Sequence, residues 1–163
     1  MEPPLMPVQK SPVAALKIIK FLHGALLAGQ VLFAGVAVAT GTKTLYFNAR
    51  DTKDVFFFVA PALAFGCIIA GFFLFKQIIA RLSQKTDLQS KVTGYQAAFI
   101  TRAALLEGPS LFNIVAFMLS GNLFYLFISV LLMLILFQSR PTANRVAEDL
   151  QLGYDDKAEL GAA

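Results

Sequence analysis

The chain has 163 residues, of which 57% are hydrophobic and 15% charged, and its net charge is +4. Soluble domains are nearer half apolar and a quarter charged. The mean hydropathy of +0.67 and the long apolar blocks therefore indicate a lipid environment. So small a net charge excludes a nucleic-acid surface and suits loops beside a membrane. We expect one integral membrane domain over residues 1–163, an all-α, polytopic four-helix transmembrane bundle with cytoplasmic helical extensions.

The N-terminal part of the chain predicts a single long helix. Ser11 is a favoured N-cap, and Pro12 suits the first helical position. The helix should continue to about Thr40, with a membrane span at about residues 21–40. Gly41 then follows as a C-cap.

The second helix should follow a polar connection in which Asp51 or Thr52 acts as the N-cap. Its span, at about residues 55–75, contains no charged residue. The helical pattern continues beyond that run, so the end of this helix should protrude into water.

The third helix should begin near Asp87. Thr86 and Gln89 have the spacing of a capping box, in which the two side chains satisfy backbone donors of the first turn. Its span, at about residues 97–119, is the last part of a helix far longer than a bilayer requires.

The fourth helix should span residues 123–138, directly after a turn at Gly121 and Asn122. A three-span alternative joins residues 114–137 into one helix and moves Glu107 toward an interface. That alternative is disfavoured because it would place the Gly-Asn turn in the middle of the membrane.

The C-terminal region predicts a short amphipathic helix at residues 142–152, capped by Thr142. Its apolar residues recur on one side: Val146, Leu150 and Leu152. This helix should lie either on the membrane surface or against the protruding ends of helices 2 and 3. The tail, residues 153–163, is expected to be mobile.

The basic residues predict the orientation. Four spans place both termini and the connection between helices 2 and 3 on one side. That side carries ten basic residues: Lys10, Lys17, Lys20, Lys76, Arg81, Lys85, Lys91, Arg140, Arg145 and Lys157. The other side carries three: Lys43, Arg50 and Lys53. The positive-inside rule then predicts a multi-pass protein of a bacterial inner (plasma) membrane, with cytoplasmic N- and C-termini.

Glu107 is the most informative ionisable residue, because it lies roughly 20 Å from the outer end of helix 3 at 1.5 Å per residue. Charge at that depth is costly, so the side chain should face protein or water. Pro109 has no N–H, which leaves the Leu105 carbonyl without its helical donor. The candidate proton or cation site is Glu107, Gln30, Ser110 and Pro109.

Gln30 is the expected partner of Glu107, because helical geometry places the two at similar depth in helices 1 and 3. Such a hydrogen bond has two interpretations. It can belong to a proton or cation relay, or it can simply join two helices around a neutral glutamate.

Three further residues are candidates for polar support or lipid contact. Arg102 should extend toward the cytoplasmic headgroups, with a counter-charge or lipid-phosphate role as the alternative. His23 suits an interfacial hydrogen bond better than a proton shuttle. Asn113 shares a helix stripe with Arg102, whereas Tyr125 and Ser129 should add polar contacts on helix 4.

No motif in the sequence indicates catalysis. The sequence has no phosphate-binding glycine loop, CxxC pair, nucleophile elbow or HExxH motif. A single histidine cannot form a bis-histidine haem site, and no ligand cluster indicates a metal. We therefore expect no enzyme activity, no cofactor and no metal. An enzyme acting on lipid or quinone has the least support.

The stretch AALLEGPSLFNIVAF, residues 103–117, resembles the ion-binding helix of proteolipid rotor subunits, in which one glutamate lies among alanine, glycine and leucine. The resemblance ends there. Helix 1 lacks a dense glycine ladder, and the connection between helices 2 and 3 is long and charged, so no activity is carried over.

Two functions from different classes fit the sequence. The preferred one is a non-enzymatic subunit or accessory protein of a membrane complex, with the lipid bilayer and a second copy or other membrane subunits as its partners. The alternative is a small proton- or cation-coupled transporter or channel that uses Glu107.

Overall fold

The computed structural model describes residues 11–162, and this part of the chain is all-helical, without a β-strand. Six helices follow in order: α1 (Pro12–Thr40), α2 (Phe56–Leu82), α3 (Leu88–Ser120), α4 (Leu123–Gln138), α5 (Ala143–Asp149) and α6 (Tyr154–Leu160). The first three are long and apolar enough to cross a membrane. A fourth span results if α4 and α5, which meet at 84°, count as one. Lys10 lies outside the described residues, as does the last residue of the tail.

The starts of α1 and α3 are fixed by side-chain caps. The Ser11 hydroxyl accepts a hydrogen bond from the Ala14 N–H at 3.3 Å, as the sequence predicted. At α3 the capping-box prediction is wrong, because the cap is the Asp87 carboxylate, which accepts from the Ser90 N–H at 2.8 Å. Hydrogen bonds from the Ser90 side chain and from the Ser90 backbone hold the pKa of Asp87 below its usual value.

The start of α2 also differs from the prediction. The helix begins at Phe56, whose N–H donates to the Asp54 carboxylate at 2.9 Å. Asp51 instead accepts from the Lys53 N–H at 3.3 Å, which closes a local turn ahead of the helix. Asp51 therefore stabilises the loop, and Asp54, the acid nearest the first turn, accepts the hydrogen bond from the start of the helix.

The third helix is central, because α1, α2 and α4 all pack against it. Small residues bring α2 close: a Cβ placed on Gly71 would lie 3.6 Å from the Leu105 Cβ. Pro109 lies within α3 without ending it. One core cluster includes Phe99 and Leu106, and a second includes Ile114 and Phe117.

The chain reverses between α3 and α4 at Gly121, which adopts a left-handed conformation with φ 78°. The Gly121 N–H donates to the Phe117 carbonyl at 2.7 Å, which closes the C-terminus of α3. The Asn122 side chain then caps α4 by accepting from the Phe124 N–H at 3.1 Å. The three-span alternative is therefore wrong in its single helix over residues 114–137, since two residues with helix-ending geometry separate α3 from α4.

The loop after α1 is fastened to this turn. We call residues 41–55 together with 120–122 the loop end. Asn122 accepts from the Asn48 N–H at 3.0 Å and donates to the Asn48 carbonyl at 2.8 Å. The Tyr46 N–H donates to the Gly121 carbonyl at 3.2 Å. The Tyr125 hydroxyl donates to Asp54 at 2.7 Å, so the start of α2 is held as well.

The opposite end, which we call the terminal end, contains the start of α1, the end of α2, the start of α3 and the end of α4 with α5 and α6. Thr142 caps α5, as predicted, by accepting from the Arg145 N–H at 3.2 Å. Val146 and Leu150 are fully buried in the core cluster that includes residues of α1 to α4. Of the two predicted locations, the structure therefore has the second, against the ends of the longer helices.

Tyr95 of α3 joins this packing by donating its hydroxyl to the Asp149 carboxylate at 3.0 Å. Burial and that carboxylate raise the pKa of Tyr95. The tail, which we expected to be mobile, instead contains α6. Leu160 of α6 is 2% exposed and belongs to the same core cluster, against which Ala162 also packs, so burial of apolar surface docks this short helix.

Candidate functional site

Glu107 lies in the second half of α3 and is partly exposed. In residues 11–162 its carboxyl has no hydrogen bond and no ion pair. The adjacent Gly108 is exposed, and a Cβ placed on it would meet nothing within 4 Å. The carboxyl is therefore at the surface of the chain, and its own helices leave it unsatisfied.

The residues around Glu107 form one face of α3. Helical spacing of three or four aligns six residues, none of them buried: Ile100, Ala104, Glu107, Leu111, Val115 and Met118. We call this set the Glu107 face. Leu106 and Asn113, on the buried side of the same helix, lie roughly 100–120° around the helix axis from Glu107. The Glu107 face therefore lies beside the core rather than within it, and its Leu111 packs against the second core cluster.

Gln30 does not pair with Glu107, so the predicted hydrogen bond is wrong. Gln30 is 1% exposed, and neither its Nε2 nor its Oε1 has a hydrogen-bond partner in the described part of the chain. Gln30 lies on the buried face of α1, whereas Glu107 lies outside the core. Matching depth in two helices does not suffice to predict a contact, because the rotation of each helix about its axis decides which side chains meet.

Ser110 and Pro109 are buried and form contacts with α4 and within α3, respectively. The Ser110 hydroxyl is 2.8 Å from the Ser129 hydroxyl, which joins α3 to α4. The Pro109 carbonyl accepts from the Asn113 Nδ2 at 2.8 Å. The structure therefore separates Ser110 and Pro109 from Glu107, although all three lie within one turn of α3.

Asn113 is buried, and its Oδ1 has no partner among the described residues. His23 is 5% exposed, and both of its ring nitrogens also lack partners there. The His23 ring lies 5.9 Å from the Phe99 ring, centroid to centroid. Gln30, Asn113 and His23 thus give the interior three polar side chains with unused hydrogen-bonding capacity.

Arg102 is half-buried, and its guanidinium lies over the Phe75 ring, 5.1 Å from the centroid. It also lines a cavity of about 360 Å³ with Gly71, Phe72 and Ile135. Arg102 thus forms a cation–π contact with α2. The sequence predicted that this residue contacts lipid headgroups or a lipid phosphate. Tyr125 and Ser129 add polar contacts from α4, as predicted.

The sequence analysis missed the Glu107 face as a unit. Its signal is the spacing of its members, 4-3-4-4-3, which is the heptad-like pattern of a helix seam. The polar residues of helix 3 alone do not reveal this face, because its other members are apolar.

In residues 11–162 no group of three or more His, Cys, Asp and Glu side chains is arranged to hold a metal ion. The fold and these positions define an all-helical chain with three or four helices that can cross a membrane. Comparison with known proteins gives no match: no family model fits the sequence, and no curated protein or solved structure is significantly similar to it.

Proposed function

We propose that this protein is a small, non-enzymatic, multi-pass subunit or accessory protein of a membrane complex. It associates with a second helical chain, either another copy or a different subunit, through the Glu107 face. The observation that carries the proposal is the unpartnered carboxyl of Glu107 in the centre of a regular helix face.

The energetic argument starts from the membrane. A carboxylate in the middle of a bilayer costs about 2.5–3.5 kcal/mol on insertion scales. A second helix packed on the Glu107 face would remove this carboxyl from lipid and supply a hydrogen-bond donor. Ala104 has a small side chain one turn away, which allows close approach of a second backbone.

The distribution of basic residues supports cytoplasmic termini. The terminal end carries most of them, whereas the loop end carries Lys43, Arg50 and Lys53. The proposed location is the inner (plasma) membrane of a bacterium. In this orientation Glu107 lies within the bilayer, and α5 and α6 lie in the cytoplasm.

The test compares two identical substitutions on different helices. Ala104→Leu places a bulky side chain on the Glu107 face, whereas Ala62→Leu makes the same change at an exposed position of α2. Native mass spectrometry of protein extracted in mild detergent should show loss of the associated chain for Ala104→Leu only. A monomer without any associated chain, or equal loss in both variants, would contradict the proposal.

Glu107→Gln separates assembly from ion chemistry, because the amide keeps the shape and hydrogen bonding of the carboxyl but cannot release a proton. Under the proposal, Glu107→Gln assembles as the original chain does. Normal expression with complete loss of function would show that the ionisable group itself is needed.

The alternative is a small proton- or cation-coupled transporter or channel. The observation that favours it is the set of unpartnered buried groups on α1 and α3: His23, Gln30 and the Asn113 Oδ1. Buried polar groups without protein partners commonly bind ordered water, and water within a membrane protein can conduct protons.

Reconstitution in liposomes tests this alternative. It predicts pH-dependent flux of protons or a monovalent cation, abolished by Glu107→Gln and altered by Gln30→Met. Absence of flux from mildly acidic to mildly alkaline pH, with the protein verified in the membrane, would rule it out.

A further inference from the structure

A second region, formed by α1 and the C-terminus of α4 rather than by the Glu107 face, has the chemistry of a ligand site. At the terminal end a cavity of about 270 Å³ lies between α1 and the C-terminus of α4. Its walls are formed by six residues: Lys20, His23, Gly24, Leu27, Phe137 and Arg140. Two cations and one imidazole thus surround an otherwise apolar space.

Lys20 and Arg140 have no negatively charged partner within the described part of the chain. Lys20 and Arg140 are exposed, and neither side chain forms an ion pair or a hydrogen bond with residues 11–162. Arg145, a nearby cation in the sequence, is by contrast engaged, since its Nη1 donates to the Gln138 carbonyl. Like charges that line one cavity repel each other, so an anion bound between Lys20 and Arg140 would stabilise both.

His23 supplies an additional donor. It is 5% exposed, and its Nδ1 and Nε2 have no partner in the described part of the chain. A neutral imidazole carries one N–H, and leaving it unsatisfied in a buried position costs free energy. An anionic oxygen in the cavity would accept this hydrogen bond.

The other walls identify the anion as part of a lipid. Gly24, Leu27 and Phe137 are apolar, and the exposed Val31 and Leu134 continue the apolar surface along α1 and α4. Lys20 lies directly before the predicted span, which starts at residue 21, so the cavity is at headgroup depth in the proposed membrane orientation. An inorganic anion would use the charged wall only, whereas a phospholipid would use both.

We infer that this cavity binds the phosphate of an anionic phospholipid, with Lys20 and Arg140 pairing with the phosphate and His23 donating to it. Arg140 can bind two phosphate oxygens at once through its planar guanidinium. An acyl chain lies against Leu27 and Phe137. The site goes beyond the assembly function proposed above and shares with it only the membrane location.

The test measures lipid binding to the purified full chain by native mass spectrometry, with phosphatidylglycerol and phosphatidylcholine of identical acyl chains. We expect a preference of about tenfold or more for phosphatidylglycerol, because phosphatidylcholine adds to the same phosphate a quaternary ammonium that Lys20 and Arg140 repel. The double variant Lys20→Gln/Arg140→Gln should lose this preference. The control Lys17→Gln/Arg81→Gln removes the same charge from exposed positions outside the cavity and should keep it.

His23→Phe tests the imidazole. It should lower phosphatidylglycerol affinity several-fold, with helix content unchanged by circular dichroism. Unchanged affinity would overturn the role of His23, and a loss also seen in Lys17→Gln/Arg81→Gln would overturn the cavity as the site.

Excess inorganic phosphate distinguishes lipid from free ion. Retention of phosphatidylglycerol in its presence supports a lipid site, whereas complete displacement shows a site for the ion alone and overturns the lipid assignment. Equal binding of both lipids overturns the inference as a whole. Since binding is measured on individual chains, its failure would leave association through the Glu107 face untouched.

Discussion

Two buried amides show how differently the two regions of this molecule treat polar groups. Asn122 at the loop end is 0% exposed and forms hydrogen bonds with the backbone of Asn48 and Phe124. Gln30, between the two ends, is 1% exposed and has no partner among the described residues. The loop end is therefore complete in the single chain, whereas the interior has capacity for water, a ligand or another chain. Asn122 and Gln30 are thus similarly buried, but the Asn122 amide is used in hydrogen bonds and the Gln30 amide is not.

The largest expected effect is at Asn122. Asn122→Ala removes three hydrogen bonds and leaves backbone groups of Asn48 and Phe124 without partners. We expect a loss of about 2–4 kcal/mol in the free energy of unfolding. Thermal unfolding in detergent measures it, with Gln84→Ala, an exposed amide, as the control. Equal stability of the two variants would show that the loop end is not the closed unit described here.

The next effect is at Gly121, where the backbone requires a positive φ. In Gly121→Ala the new Cβ would lie 2.7 Å from the Thr44 carbonyl oxygen at φ 78°. We expect destabilisation by about 2 kcal/mol from strain and displacement of the loop. Gly153→Ala is the matched control, since Gly153 has φ −68° and open space. A small or absent difference from this control would show that the turn tolerates a different geometry.

Replacement of Gln30 should instead increase the free energy of unfolding. Gln30→Met keeps the length of the side chain and removes an amide whose burial without partners is unfavourable. We expect stabilisation of the isolated chain by about 1 kcal/mol, measured by unfolding in detergent. Destabilisation would mean that Gln30 has a bound partner such as water, and the contrast with Asn122 would then disappear.

The smallest effect concerns the one side-chain hydrogen bond that joins α3 to α4 in the described chain. Ser110→Ala and Ser129→Ala remove either side of the 2.8 Å contact. The coupling free energy from a double-mutant cycle should be about 0.6 kcal/mol, which is typical between membrane helices. Additive effects of the two substitutions would show that the hydroxyls do not interact.

Much of the fold was predictable because helix starts and ends depend on local chemistry. Ser11 with Pro12, and Thr142, capped the predicted helices, and the Gly121-Asn122 turn separates α3 from α4. The errors at Asp51 and Thr86 come from competition among neighbouring acids and hydroxyls for the same backbone donors. The outcome shifts the start of α3 by one residue and the start of α2 by more, and sequence patterns do not resolve such shifts.

The candidate site was less predictable because it depends on contacts between helices. Depth along the axis follows from residue number, so Gln30 and Glu107 were compared at similar depth. The rotation of α1 about its axis depends on how its whole apolar surface packs on α3, and α1 has apolar residues on every side. The docking of α6 through Leu160 escaped notice for a related reason, since one apolar residue gives no periodic signal.

The fastening of Asn48 to Asn122 has a consequence for the order in which the chain assembles. The two residues are 74 positions apart, and the second lies at the turn after α3. In the membrane orientation proposed above, the hydrogen bonds between them form only after this turn has reached the same side of the membrane as the first loop. Until α2 and α3 have been inserted, the polar groups of residues 46 and 48 remain hydrated. In that orientation, closure of the loop end is a late step of biogenesis, which follows the insertion of α2 and α3.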